Sequence, residues 1–130
     1  MPLNDSSPFT VLIIEDDPDV REVMIAVIEK EGHTAIPAAN GTEALRLLRD
    51  GLHPCLILLD LMMPVKNGWE FRAEQNADSR LASIPTVVVS AAGRDAVRDL
   101  DPDGALPKPI DLDVLTKLLK AHCINNHRVA

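Results

Sequence analysis

Glu15, Asp16 and Asp17 follow the run FTVLII, Asp60 closes CLILLD, Ser90 closes IPTVVVS and Lys108 closes GALPK. Acids, a hydroxyl and an amine in these places suggest metal and phosphate chemistry. Gathered carboxylates repel one another, so such a cluster requires a compensating charge. Lys108 is one source and a hard divalent cation is another. Oxygen ligands with few protein donors suit Mg2+, which keeps several waters and favours a phosphate partner. Each residue alone also has a plainer reading. Asp17 fits a helix N-cap, Ser90 could cap the helix after it, and a lone lysine is most often solvated. The joint pattern sets the group apart.

The elements that must carry these groups alternate along the chain. Phe9 to Ile14 is a β-branched apolar run and predicts a buried strand. Asp17 and Pro18 then open a helix, with Val20, Val23, Met24, Val27 and Ile28 on one face and Gly32 as its stop. Thr34 to Ala38 predicts a second strand. Asn40 caps GTEALRLLRD, whose Ala44, Leu45 and Leu48 should face inward before Gly51 ends it. Cys55 to Leu59 is the third strand, delivering Asp60, and GWEFRAEQNAD is a less regular helix. Pro85 to Ser90 is the fourth strand, GRDAVRDLD a helix of two turns or so, and GALPK a short fifth strand. Asp111 caps a last helix, LDVLTKLLKAH, with Leu112, Leu115, Leu118 and Leu119 on one face. Five uniformly apolar strands alternating with five helices predict an α/β fold, a parallel sheet covered on both faces. In such a sheet ligands bind beyond the carboxyl ends of the strands, which is where the polar groups fall.

Composition narrows the function. The 130 residues fit one domain, and 46% are apolar but only 2% aromatic, so the core must be aliphatic. A formal charge of −7 with no basic run argues against binding nucleic acid or an anionic membrane directly. No apolar stretch approaches the roughly 18 residues of a membrane span, and MPLNDSSPFT lacks the features of a signal peptide. Residues 1–8 read as a short polar leader, 9–122 as the domain and 123–130 as a loose tail. Cys55 and Cys123 read as free thiols in a reducing compartment, which points to the cytoplasm. His33, His53, His122 and His127 lack metal-ligand spacing and read as surface residues.

The stretches VLIIEDDPDVRE, LILLDLMMPVKNGWE, TVVVSA and LPKPID together resemble the receiver domain of two-component response regulators. The resemblance runs from about Phe9 to His122, and four motifs in the right order and spacing make it specific. It implies a flavodoxin-like (CheY-like), doubly wound five-stranded sheet with strand order 2-1-3-4-5. Asp60 would be the phosphoacceptor, taking a phosphoryl group from a histidine kinase or histidine phosphotransfer protein. Asp16 and Asp60 would ligate Mg2+ (or Mn2+) directly, Met62 through its backbone carbonyl and Glu15 through water. Ser90 would bond the phosphoryl oxygens and Lys108 would pair with them, and the Lys108–Pro109 bond would be cis. Pro64 should hold Met63 extended, and Asn67-Gly68 should turn the chain into the next helix.

The resemblance further implies a stand-alone receiver acting on an unknown downstream protein, as a monomer or weak dimer, or else a piece of a hybrid kinase. It would be no enzyme beyond its own phosphorylation and dephosphorylation. Ala105 stands where the family usually has an aromatic, so the usual aromatic read-out is absent, and the segment between Ser90 and Lys108 is short for the family, so the fourth helix should be stunted. Met62 and Ala92, two beyond Asp60 and Ser90, cannot orient an attacking water. Two other readings remain: an unphosphorylated pseudo-receiver used for docking or dimerisation, and a metal-dependent phosphatase. The phosphatase reading wants a second acid where Met62 stands.

Overall fold

The computed structural model describes residues 10–91, 100 and 102–123. The expected leader, Phe9, the tail after Cys123, Ala92, His127 and all of GRDAVRDLD except Leu100 lie outside them. Five strands are present: β1 (Thr10–Ile14), β2 (Thr34–Ala38), β3 (Leu56–Asp60), β4 (Thr86–Ser90) and β5 (Gly104–Pro107). They pair in parallel in the order β2-β1-β3-β4-β5. Four helices lie among the described residues: α1 (Pro18–Lys30), α2 (Gly41–Arg49), α3 (Gly68–Ala77) and α4 (Leu112–His122).

Successive strand residues point to opposite faces, and each face has its own core. Val11, Ile13, Leu56, Leu58, Val87 and Val89 pack with Met24 and Ile28 of α1 and Leu115 and Leu119 of α4. Leu12, Ile14, Ile57 and Leu59 pack with Ala44, Leu45 and Leu48 of α2 and Phe71 of α3. Every residue of β1, β3 and β4 is buried, whereas β2, at the sheet edge, is only partly so. An edge tolerates Pro37, which has no N–H to give.

The helical faces are narrower than the periodicity suggests. Val23 of α1 and Leu112 of α4 are exposed, and Leu118 is only partly buried. α3 departs the other way, since Arg72 and Gln75 are buried. Gln75 Nε2 donates to the carbonyls of Leu81 (3.1 Å) and Ile84 (3.3 Å) and to Thr86 Oγ1 (3.0 Å). Arg72 Nε donates to the Leu100 carbonyl at 3.1 Å and Nη1 to Gln75 Oε1 at 2.8 Å. These inward polar residues account for the irregular apolar pattern of this helix.

Two expectations are corrected. Cys55 and Cys123 are not free thiols: they form a disulfide across 68 residues, with Cα atoms 5.4 Å apart. The parallel crossovers bring the amino end of the central strand under the carboxyl end of α4, within bridging range. Cys123 therefore ends the helix as its buried C-cap and does not begin a loose tail. His33 is buried at the start of β2, not a surface residue. Gly32 and Gly51 do stop their helices, at φ of 89° and 119°, a region costly for other residues.

Candidate functional site

The parallel sheet delivers the carboxyl ends of β1, β3, β4 and β5 to one edge. β1 ends before Glu15, and Glu15 N–H donates to the Ala38 carbonyl at 3.1 Å, so the ladder to β2 continues through it. Asp60 is the last residue of β3, paired in register with Val89, and Ser90 ends β4 opposite Pro107. Lys108 N–H donates to the Ser90 carbonyl at 3.1 Å, which fixes where the lysine leaves β5. The Lys108–Pro109 bond is cis, as expected.

Three carboxylates meet here. Glu15 and Asp60 are buried, Asp16 is exposed, and one oxygen from each lies within 4.8 Å of the others. Lys108 Nζ lies 3.2 Å from Glu15 Oε1 and 3.4 Å from Asp60 Oδ1. The third acid stands apart: Asp17 caps α1, accepting from the N–H groups of Asp19 (2.9 Å) and Val20 (3.5 Å). Ser90 is buried beside the cluster. Met62 lies on the loop after Asp60, its N–H 3.4 Å from Asp60 Oδ1 and its side chain 66% exposed.

The loop around Asp60 is held differently from the expected Asn-Gly turn. Lys66 N–H donates to the Pro64 carbonyl at 2.7 Å across Val65, whose φ of 67° makes a γ-turn. Asn67 is the N-cap of α3 and forms a reciprocal capping box with Glu70. Gly68 is needed for space: a Cβ there would sit 2.7 Å from the Asp60 carbonyl oxygen and from Leu61 Cα. Gly68→Ala should therefore cost about 1–3 kcal/mol by overpacking, read as a lower denaturant midpoint. An unchanged midpoint would show that the loop gives way freely.

The electrostatics follow from the crowding. Burial, then the charge of Asp60, pushes Glu15 up to about 7. Burial works against the Lys108 charge, but Asp60 and Glu15 beside it outweigh this and hold its pKa above the usual lysine range. Glu15 Oε1 is buried and makes no hydrogen bond, its contact being the ion pair with Lys108. An all-oxygen donor set with such a carboxylate oxygen fits a hard divalent cation.

A pH dependence follows. Glu15 has a folded pKa of about 7 against 4.5 unperturbed, so the folded state holds its proton more tightly. The associated stability is complete below the unfolded value and lost as pH rises through 7, on the order of 3 kcal/mol. Melts from pH 5 to 8 with a chelator should show Tm falling, and millimolar Mg2+ should reverse the fall. In Glu15→Gln this decline should be absent. A flat metal-free profile in the parent protein would contradict the assignment.

Sequence reasoning missed two supports of this site. Arg21 Nη1 donates to the Glu15 carbonyl at 3.0 Å, bracing the β1–α1 loop; its place one turn into α1, after the Asp17 cap, was the available signal. The Lys66 carbonyl accepts from Gly41 N–H at 3.1 Å, while its ammonium pairs with Glu74, tying the Asp60 loop to α2 and α3. That contact joins residues far apart in sequence and left no local trace.

The decisive comparison is a match of residues 11–120 to the family model described as response regulator receiver domain. The chain belongs to this family. It is a receiver domain of the two-component response regulators, with the CheY-like fold. It is similar to Response regulator Rre1 of Synechocystis, 34% identical over 120 residues, covering 88% of this chain and 52% of that protein. It is 29% identical to Protein PilH of Pseudomonas aeruginosa, over 85% of this chain and 94% of that one. The chain thus spans about half the length of Rre1 and nearly all of PilH.

Among solved structures, the signal receiver domain of a histidine kinase from Syntrophus aciditrophicus superposes with a TM-score of 0.80 at 29% identity, covering 93% of this chain and 94% of that one. The response regulator TrrA of Thermotoga maritima, in complex with Mg2+-BeF, gives 0.76 at 25% identity, covering 86% and 96%. No helix among the described residues is long and apolar enough to cross a membrane.

Proposed function

We propose that this receiver is a phosphoryl-accepting switch, in which Asp60 takes a phosphoryl group from the histidine of a kinase or phosphotransfer protein. The observation that carries this is Asp60 itself: a buried carboxylate at the tip of the central strand, 3.4 Å from Lys108 Nζ and grouped with Glu15 and Asp16. A carboxylate and a phosphoryl donor are both anionic, so attack needs positive charge at the site. Lys108 carries its charge throughout the physiological range and faces Asp60, so it can neutralise charge on the transferring oxygens. Ser90 can donate its hydroxyl to a phosphoryl oxygen on Asp60.

Asp16, Asp60, the Met62 carbonyl and, through water, Glu15 would hold Mg2+, which supplies charge neutralisation at the phosphoryl oxygens. The Mg2+-BeF complex of TrrA supports this choice of ion. The protein would be no enzyme beyond its own phosphorylation and dephosphorylation. A phosphoryl donor that is itself charged from ATP favours the cytoplasm. Ala105 is exposed on β5 and offers no ring to swing inward, so the signal would leave through another surface or through the segment before β5.

The test is incubation with acetyl phosphate, with and without Mg2+, read by intact mass. One phosphoryl group is expected, only with the cation. No incorporation with Mg2+ would leave a docking module in place of a switch. Decay of the phosphorylated form should be slow to moderate, because neither Met62 nor Ala92 is a residue type that can orient an attacking water. Met62→Asn should speed decay several-fold, and an unchanged half-life would remove that explanation.

A further inference from the structure

We propose that Cys55–Cys123 is a reversible thiol–disulfide site that clamps the last turn of α4 to the base of β3. The inference goes beyond phosphoryl acceptance and does not depend on it. Cys55 immediately precedes β3 and Cys123 is the C-cap of α4. After Leu119, Cys123 is the only buried residue among those described, for Lys120 and Ala121 are exposed and His122 is half-buried. The disulfide is thus the covalent anchor of a turn that otherwise buries one small side chain.

Both redox states are accommodated. Cys55 Sγ lies 3.3 Å from the Thr10 carbonyl oxygen, so a thiol at Cys55 has an acceptor already in place. Cys123 belongs to the apolar core cluster that also holds Val11, Leu56, Leu115 and Leu119, a setting that suits a thiol as a small apolar group. Reduction therefore strands no polar group.

The two cysteines are not equally open. Cys55 keeps 9% of its surface exposed and Cys123 keeps 0%. A low-molecular-weight thiolate would attack Cys55, forming a mixed disulfide there and releasing the Cys123 sulfur, which takes up a proton. A second thiolate then attacks the outer sulfur of the mixed disulfide. Cys55 leaves as the thiolate and takes up a proton, and the two small thiols depart as their own disulfide, a balanced two-electron exchange. Burial of the leaving sulfur makes the exchange slow.

Distance separates this site from the acids. Cys55 and Asp60 lie at opposite ends of a buried strand, roughly 17 Å apart at the usual rise per residue. The strand would carry a phosphoryl site at its tip and a redox site at its base. The redox state should alter the end of α4 and leave chemistry at Asp60 alone.

The test uses the intact protein in glutathione buffers of graded potential, without denaturant. Alkylation and intact mass count the thiols, amide exchange follows the end of α4, and backbone chemical shifts follow the folded sheet. We expect conversion between no thiols and two, with exchange at residues 119–123 faster by about tenfold in the reduced form. Native backbone chemical shifts of Ile57, Leu58 and Leu59 should be unchanged, and labelling by acetyl phosphate should stay within about twofold. The double variant Cys55→Ser, Cys123→Ser should show the reduced pattern in every buffer; if it fails to fold, the wild-type titration decides. Three results would overturn the proposal: a bond that resists reduction in the folded protein, reduction that leaves α4 exchange unchanged, or reduction that shifts the native sheet resonances as well.

Discussion

Asp60→Asn is expected to abolish labelling by acetyl phosphate, lowering the rate by at least roughly 10³-fold, as loss of a covalent nucleophile does. The change is nearly isosteric, so the loop should survive: an Asn side-chain oxygen can still accept from the Met62 N–H now 3.4 Å from Asp60 Oδ1. The electrostatic consequence separates loss of the nucleophile from loss of the fold. Asp60 is the second cause, after burial, of the raised Glu15 pKa. Neutralising it should move Glu15 back toward 4.5 and reduce the decline of metal-free Tm above pH 5. A variant that is unlabelled, folded and less sensitive to pH meets the expectation. Labelling at the parent rate would move the acceptor to Glu15 or Asp16. Lys108→Ala should be milder in rate, because the nucleophile stays and only its charge partner goes.

Removal of the disulfide should have the largest effect on stability. The bond closes a loop of 68 residues, which in the chain-entropy account is worth about 4 kcal/mol of unfolding free energy. For a domain of this size that is a fall in Tm of about 10–15 °C. Reduced and oxidised samples compared by denaturant unfolding would measure it. Because the bond acts mainly on the unfolded chain, native spectra should change little at ordinary temperature. A difference under about 1 kcal/mol would mean that the unfolded ensemble already keeps the two cysteines close, or that strain in the folded form offsets the gain. Removing Cys55 alone or Cys123 alone should cost about as much as removing both, since either breaks the same cross-link.

Much of the fold was legible because its signals are local. VLII, LILL and TVVV are short apolar runs bounded by polar residues, and a strand buried on both faces must look so. Asp17, Asn40 and Asp111 announced their helices because a cap and the N–H groups it satisfies are two or three residues apart. The strand tips were equally plain, so Glu15, Asp16, Asp60, Ser90 and Lys108 are legible from the sequence. Where local signals misled, a distant neighbour was responsible. Asn67-Gly68 looked like a turn, but the glycine answers to the Asp60 carbonyl, and Arg72 and Gln75 are inward because Leu100, Leu81, Ile84 and Thr86 offer them partners.

By itself, then, the sequence determined the alternation of strands and helices, the family resemblance and the identity of the acids, hydroxyl and lysine at the strand ends. Only the tertiary structure decided that Lys108 reaches Glu15 and Asp60, that Glu15 is buried enough to be pushed up to about 7, and that Cys55 meets Cys123. The physical reason is range. Propensity, capping and hydrophobic period act over a few residues and are written along the chain, whereas charge coupling, desolvation and cross-linking depend on distances through space, which are settled when the sheet is assembled.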